Sequence, residues 1–199
     1  TTLFRSAKDF ALVQNLGPSF NAAAVFTTNR CQANPVIWSK EAIKDGLLTA
    51  TVLNSGGANC YTGAQGFQTT HATAERVASV LGCSAGDVLV CSTGLIGEQL
   101  DRDKIMAGVD SSAAQLSVDG GLAAAEAIMT TDSVSKTASA SGNGWVVGGM
   151  AKGAGMLAPG LATMLVVITT DAELSSKDLD AALRQATRVT FDRLDSDGC

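Results

Sequence analysis

GGMAKGAGMLAPGLATMLVVI, residues 148–168, is the most informative stretch of the chain. It is a glycine-rich loop whose one charged residue is Lys152, and it runs into an apolar, β-branched segment. That segment predicts a buried strand over residues 163–170. Glycines give the loop backbone conformations that other residues rarely adopt. The loop therefore delivers Thr163 to the first position of a strand, where its hydroxyl is a candidate nucleophile.

Threonine often opens a strand with no further role, so chemistry at Thr163 needs a reason. A strained loop favours attack of the Thr163 hydroxyl on the carbonyl of Ala162, whose small side chain does not shield it. Hydrolysis of the resulting ester leaves an N-terminal threonine. Its α-amine, with an ordinary pKa of about 7.7–8.0, can serve as base for its own hydroxyl. A chain with one histidine, His71, can thus perform acyl transfer without a Ser-His-Asp triad.

The composition is that of an ordered protein. With 199 residues, 46% hydrophobic and 17% charged, the chain can form one domain or two small ones and bury roughly 70% of its unfolded surface. The net charge is −5 and the basic residues are scattered, which argues against nucleic-acid binding. No apolar run approaches the roughly 20 residues of a membrane span, and no signal peptide opens the chain. We expect a soluble, cytoplasmic protein.

Cysteine and histidine usage narrows the chemistry further. The five cysteines form no C-x-x-C pair, and their odd number fits reduced thiols in packing roles. One histidine rules out a zinc site built on several histidines. His71 and Glu75 have the spacing of a helix-surface pair.

Strand and helix patterns alternate along the chain, with some direct hairpins, which predicts a mixed α/β fold in layers. The first two strands are expected to form a hairpin across Gly17-Pro18, and Gly142-Asn143-Gly144 is a second hairpin turn. The hairpin is preferred there over a dinucleotide-binding loop because the glycine spacing is one residue too long. Strands are predicted at 10–13, 22–27, 36–38, 49–54, 87–91, 136–141, 145–149 and 163–170. Helices are predicted as a short one from Ser39, then at 69–81 (capped by Thr69 or Thr70, stopped by Gly82), 101–108, 120–129 and 175–191 (capped by Ser175 or Ser176).

Thr93-Gly94 is the second candidate for chemistry. The pair follows a predicted strand directly, and a strand-to-turn transition can leave backbone N–H groups and a hydroxyl facing a cleft, as an oxyanion hole requires. A plain turn is the alternative. Lys152, in its apolar loop, either extends to solvent or meets a carboxylate.

Several separated motifs resemble one family. Lys152-Gly153 through Ala158-Pro159, followed by Leu161-Ala162-Thr163-Met164-Leu165, resembles the self-cleavage junction of the ornithine acetyltransferases, which are bifunctional glutamate N-acetyltransferases of arginine biosynthesis. The resemblance covers about residues 9–198. It implies a layered α/β (α+β) sandwich of mixed sheets and helices, shared with N-terminal-nucleophile aminopeptidases.

The same resemblance implies the reaction and its residues. An acetyl group would pass from N-acetylornithine to Thr163 and then to glutamate, with no cofactor; acetyl-CoA is an alternative donor in part of the family. Thr93 and Gly94 would form the oxyanion hole, and Thr130 and Lys152 would bind substrate. For Thr130 a helix-end cap is the alternative. The loop at residues 54–59 also resembles a family loop, and we expect it to shape the site.

The resemblance further implies two chains. Cleavage between Ala162 and Thr163 would give an α chain, residues 1–162, and the start of a β chain, residues 163–199, which pair into an α2β2 assembly. The family's enzymes continue beyond the position of Cys199, and the front of this chain lacks their beginning, so we expect a sequence truncated at both ends. Two rivals remain: a self-processing aminopeptidase or amidase that transfers the acyl group to water, and a non-catalytic fragment or binding module.

Overall fold

Two three-stranded sheets organise the part of the chain that the computed structural model describes, residues 8–155 and 163–194. The strands are β1 (Phe10–Gln14), β2 (Ala50–Asn54), β3 (Val88–Ser92), β4 (Lys136–Gly142), β5 (Trp145–Lys152) and β6 (Leu165–Thr170). The helices are α1 (Asn34–Ala42), α2 (Gly63–Leu81), α3 (Arg102–Ala114), α4 (Gly121–Ala127) and α5 (Ser176–Val189).

The first sheet has the order β1-β2-β3, with β1 antiparallel and β3 parallel to β2. Successive side chains of a strand point to opposite faces, and both faces of this sheet are covered. Phe10, Leu12 and Val52 pack with residues of α2 and α3 on one side. Ala11 and Leu53 pack on the other side with α4, β5 and β6. The predicted layered α/β fold is confirmed.

The second sheet is antiparallel, in the order β4-β5-β6. Its β4–β5 hairpin turns at Asn143-Gly144, where Gly144 has a left-handed φ of 82°. This confirms the predicted turn, since a two-residue hairpin loop favours glycine in that conformation. Met150 of β5 is buried in the core shared with the first sheet and α4.

The strand predicted at residues 36–38 is wrong, because these residues lie in α1. Pro35 opens the helix at a position that proline favours. From α1, the Ser39 hydroxyl donates to the Val90 carbonyl at 2.9 Å and accepts the Val90 N–H at 3.0 Å. Trp38 Nε1 donates to the Val88 carbonyl at 3.0 Å. The helix thus covers the open edge of β3, which would otherwise leave backbone groups unpaired.

The predicted strand at residues 22–27, and its hairpin with β1, are also wrong. The partner of β1 is β2, with Phe10 opposite Asn54. Near the expected strand the structure forms one isolated bridge, between Asn21 and Leu47. β1 thus takes its partner from further along the chain and not from the segment that follows it directly.

The remaining elements agree with prediction apart from their ends. Helix α2 ends at Leu81, with Gly82 as the predicted stop, but begins at Gly63, so Thr69 and Thr70 lie inside it. Helix α3 runs beyond the predicted end, to Ala114. The Ser175 hydroxyl caps α5 by accepting the Asp178 N–H at 3.2 Å. Strand β6 begins at Leu165, two residues after the predicted start.

Candidate active site

The carboxyl ends of β2 and β3 lie side by side, because these strands are parallel and Asn54 is opposite Ser92. The Thr93 N–H donates to the Asn54 carbonyl at 2.9 Å, which extends the ladder by one residue. Asn54 Nδ2 also donates to Ser92 Oγ at 2.6 Å. Thr93 is therefore held rigidly at the end of the sheet, with only 2% of its surface exposed.

The chain turns at Gly94, where φ is +127°, a conformation that side chains disfavour. A Cβ on Gly94 would lie 2.9 Å from the Gly57 nitrogen and 3.0 Å from its Cα. The turn after β3 therefore packs backbone against backbone on the loop after β2. The Thr93-Gly94 pair thus forms the predicted strand-to-turn transition, and the loop at residues 54–59 packs against it; that this loop shapes the site stays a prediction.

Asn59 anchors that loop to α2. It is 1% exposed and has a left-handed φ of 50°. Its side-chain nitrogen donates to the Gly66 carbonyl at 2.9 Å and to Thr70 Oγ1 at 2.8 Å, while its oxygen accepts the Thr62 hydroxyl at 2.6 Å. A buried amide with these bonds fixes one conformation of the loop beneath Gly94.

Lys152 approaches Thr93 from the second sheet. It ends β5 and is only 4% exposed, so the alternative that it extends to solvent is wrong. Its Nζ donates to Thr93 Oγ1 at 3.3 Å, across 59 residues of sequence. An ammonium group shielded from water interacts more strongly with an anion than it would at a surface.

Thr163 precedes β6, at the end of the second sheet where Lys152 ends β5. Lys152 is opposite Leu165 in the β5–β6 ladder, and Thr163 precedes Leu165 by two residues. Two extended residues span at most about 7 Å, so the Thr163 backbone lies near the level of the Lys152 backbone. Thr163 is exposed as a residue. Ala162 lies outside the described residues.

Thr130 is joined to Lys152 through a residue that sequence reasoning missed. Asp132 accepts the Thr130 N–H on Oδ2 at 3.1 Å and the Gly153 N–H on Oδ1 at 2.8 Å. Lys136 Nζ donates to the same Oδ1. The one sequence signal was the i, i+4 spacing of Asp132 and Lys136, which is also the ordinary spacing of an ion pair on the surface of a helix.

The hydrogen-bond partners of Asp132 keep its carboxyl group ionised. Burial of the carboxylate raises its pKa, but the bonds from Lys136, Gly153 and Thr130 outweigh burial and lower the pKa of Asp132 to about 2. Asp132 is therefore an anion at neutral pH, with its side chain fully covered.

The other titratable candidates lie outside this group of residues. His71 Nε2 lies 3.6 Å from Glu75 Oε1 on the surface of α2, which confirms the predicted pair. The four cysteines within the described residues are free, and burial raises the pKa of Cys91 to about 12, which keeps it a neutral thiol; Cys199 lies outside them. The described ranges contain no group of three His, Cys, Asp or Glu residues that could hold a metal ion, and no helix long and apolar enough to cross a membrane.

Two surface depressions lie away from the candidate residues. One runs along α5 beside Arg184 and Arg188, and the other lies between α2 and the start of α3, beside Gln65 and Arg102. Neither is lined by Thr93, Lys152 or Thr163.

Comparison with known proteins agrees with the resemblance seen in the sequence. The model of the ArgJ family matches residues 2–199. The chain belongs to the ArgJ family. The arginine biosynthesis bifunctional protein ArgJ of Streptomyces coelicolor is 65% identical over 96% of this chain and 50% of its own length. That of Thermobifida fusca is 60% identical with the same coverage. The chain spans about half the length of these curated relatives.

Two solved ArgJ-family structures share the fold. The ornithine acetyltransferase of Mycobacterium tuberculosis, crystallised with ornithine, is 49% identical with a TM-score of 0.74, over 79% of this chain and 84% of that one. The ArgJ protein of Bacillus halodurans is 31% identical with a TM-score of 0.67, over 82% and 89%. The expected fold, that of the ornithine acetyltransferases, is confirmed.

Proposed function

We propose that this chain is part of a cytoplasmic, self-cleaving acyltransferase of arginine biosynthesis, which moves an acetyl group from N-acetylornithine to glutamate through an acetyl ester on Thr163. The observation that carries the proposal is the buried contact between Lys152 and Thr93, at the edge where the chain enters β6. A cation and a hydroxyl meet there beside a glycine turn, and Thr163 lies two residues before Leu165, which is opposite Lys152 in the β5–β6 ladder.

Cleavage begins with attack of the Thr163 hydroxyl on the Ala162 carbonyl. The C–N bond breaks, an ester to Thr163 Oγ forms, and the nitrogen becomes the free α-amine. Water then hydrolyses the ester, leaving a carboxylate on Ala162 and a free hydroxyl on Thr163. The products correspond to residues 1–162 and to a chain that begins at residue 163.

Acetyl transfer uses the new terminus. The α-amine accepts the hydroxyl proton as Thr163 Oγ attacks the acetyl carbonyl, and ornithine leaves when its nitrogen takes that proton. The amine of glutamate then attacks the acetyl ester, releases N-acetylglutamate and restores the hydroxyl. Both halves are acyl transfers between nucleophiles, and no electron acceptor is needed.

Thr93 and Gly94 stabilise the negative oxygen that forms at each attack. Donors that are already fixed in place need no reorganisation during the reaction, and the loss of one typically costs about 2.7–4 kcal/mol. Lys152 attracts the substrate carboxylate, and Thr130 contributes to the same binding site. The backbone packing at Gly94 and Gly57 supports a preorganised hole.

The length of the solved relatives supports cleavage into two chains. Stretches of this 199-residue chain cover 84% and 89% of the solved polypeptides but only 50% of the curated relatives. The solved chains are thus close to this chain in length and far shorter than the curated proteins. Cleavage into two chains fits this difference, and we propose that the two chains pair as α2β2.

Intact-mass spectrometry of the full-length polypeptide tests the proposal. We expect two fragments, split before Thr163, in the parent and a single chain in Thr163→Ala. Thr169→Ala, an exposed β6 threonine, is the matched control and should split as the parent does. An unsplit, active parent contradicts the proposal. Release of free acetate instead of N-acetylglutamate would favour a hydrolase.

A further inference from the structure

We propose that Asp132 is a positioning residue for substrate: its carboxylate holds Lys152 and Thr130 in one fixed arrangement. The inference rests on the proposed function, because it assumes that Lys152 and Thr130 bind substrate. Asp132 accepts the Gly153 N–H, next to Lys152, and the Thr130 N–H on its two carboxylate oxygens. It acts on the backbone beside each of them.

The backbone beside Lys152 leaves the sheet where β5 ends. The β5–β6 ladder stops at the pair Lys152 and Leu165, and the β4–β5 ladder stops one residue earlier, at Lys136 and Ala151. Gly153 thus leaves the ladder directly after the key lysine. A buried peptide group needs hydrogen-bond partners wherever the sheet no longer supplies them.

Asp132 and Lys136 supply both partners. The Gly153 N–H donates to Asp132 Oδ1 at 2.8 Å, and the Gly153 carbonyl accepts Lys136 Nζ at 3.1 Å. The ion pair between the two side chains closes this clamp. Because the Gly153 peptide is held at both ends, the backbone of Lys152 cannot swing away from Thr93 without breaking charged hydrogen bonds.

The second oxygen of Asp132 extends the clamp to Thr130. Oδ2 accepts the Thr130 N–H at 3.1 Å, in a turn that follows α4. One carboxylate therefore spans the two segments that carry the proposed substrate contacts. Neutral asparagine has only one acceptor oxygen, so it cannot accept from both segments and from Lys136 as the carboxylate does.

A positioning role and a purely structural role differ in their kinetic signature. Partial misfolding lowers the fraction of active enzyme, and hence kcat, and leaves KM unchanged. Misplacement of Lys152 and Thr130 weakens substrate binding in every molecule, which raises KM. Displacement of a binding group by about 1 Å can cost up to a hundredfold.

The experiment measures kcat and KM for N-acetylornithine in full-length, cleaved enzyme carrying Asp132→Asn. We expect KM to rise about tenfold or more and kcat to fall less. Asp110→Asn removes a carboxylate that pairs with Arg76 at the α2–α3 surface and should leave both constants unchanged. Lys136→Met keeps both backbone bonds of Asp132 and should raise KM by a smaller factor.

An Asp132→Asn enzyme with KM within about twofold of the parent overturns the positioning role, as does a loss confined to kcat. If Asp132→Asn does not fold, Lys136→Met decides: a raised KM supports the clamp, and an unchanged KM contradicts it. Failure of the proposed function is visible separately, because the Thr163→Ala enzyme would then still transfer acetyl groups.

Discussion

The two sheets differ in how deeply they are buried, and the candidate site lies where they meet. All five residues of β2 are buried, whereas all seven of β4 are exposed and no residue of α5 is buried. The first sheet carries Thr93 and Gly94 on strand ends locked between layers. The second carries Lys152 and Thr163. In the proposed function, the buried first sheet supplies a fixed frame and the more exposed second sheet supplies the nucleophile and the lysine.

Matched leucine truncations test the difference in burial and should give the largest effect on stability. Leu53 of β2 is fully buried, whereas Leu183 of α5 is half-buried. We expect Leu53→Ala to lower the free energy of unfolding by about 3–5 kcal/mol, since it leaves a cavity. Leu183→Ala should cost about 1 kcal/mol. Urea denaturation of the two variants measures this, and equal losses would contradict the difference in burial between β2 and α5.

Thr93→Val tests whether the frame acts in the chemistry. Valine keeps the buried volume and removes the hydroxyl that accepts from Lys152. We expect kcat for acetyl transfer to fall by about 10²–10³, as for the loss of an oxyanion-hole donor. Thr169→Val, on the exposed face of β6, should retain parental kcat. A fully active Thr93→Val enzyme would leave the hydroxyl with a packing role only.

Gly94→Ala separates backbone conformation from close approach. Gly94 and Gly97 both have positive φ, +127° and +87°, but only at Gly94 would a Cβ meet Gly57. We expect Gly97→Ala to cost about 1 kcal/mol of unfolding free energy and Gly94→Ala about 2–3 kcal/mol. Thermal or chemical denaturation compares them. Equal costs would mean that the loop after β2 yields, and that the turn is less rigid than its packing indicates.

The Asp132 clamp joins the turn after α4 to the end of β5, and its contribution to stability should depend on pH. The pKa of Asp132 is about 2 in the folded protein, against an ordinary value of 3.8, so its charge stabilises the fold above about pH 4. This stabilisation is lost as pH falls towards 2. The stability gap between parent and Asp132→Asn should therefore shrink by about 2 kcal/mol between about pH 6 and pH 2. Chemical denaturation at both values measures the gap, and a constant gap would contradict an ionised Asp132.

Local pattern predicted most of the first sheet and its helices, because their alternation and turn residues agree with their burial. It failed at Val36–Trp38, because whether this segment forms a strand or a helix depends on β3, which is remote in sequence. Ser39 of the helix hydrogen-bonds the Val90 carbonyl and N–H at the open edge of β3. The prediction for residues 22–27 failed for a similar reason, because strand propensity does not reveal which segment will pair with β1.

Most of the candidate site residues carry a signal in the sequence, and one does not. Thr93, Gly94, Lys152 and Thr163 each carry a local signal in the glycines around them, and the family resemblance assigned their roles. Asp132 carries no such signal, because its importance comes from two segments that meet only in the folded chain. Spacing of four residues from Lys136 could indicate no more than a helix-surface pair.

Mass spectrometry tests most directly whether Thr163 carries the acetyl group. Full-length cleaved enzyme is mixed briefly with N-acetylornithine in the absence of glutamate, and the chain that begins at Thr163 is weighed. We expect this chain alone to gain the mass of one acetyl group, on its first residue, and to lose it when glutamate is added. Acetyl transfer at the normal rate with no acetylated Thr163 chain would contradict the proposed acetyl ester on Thr163.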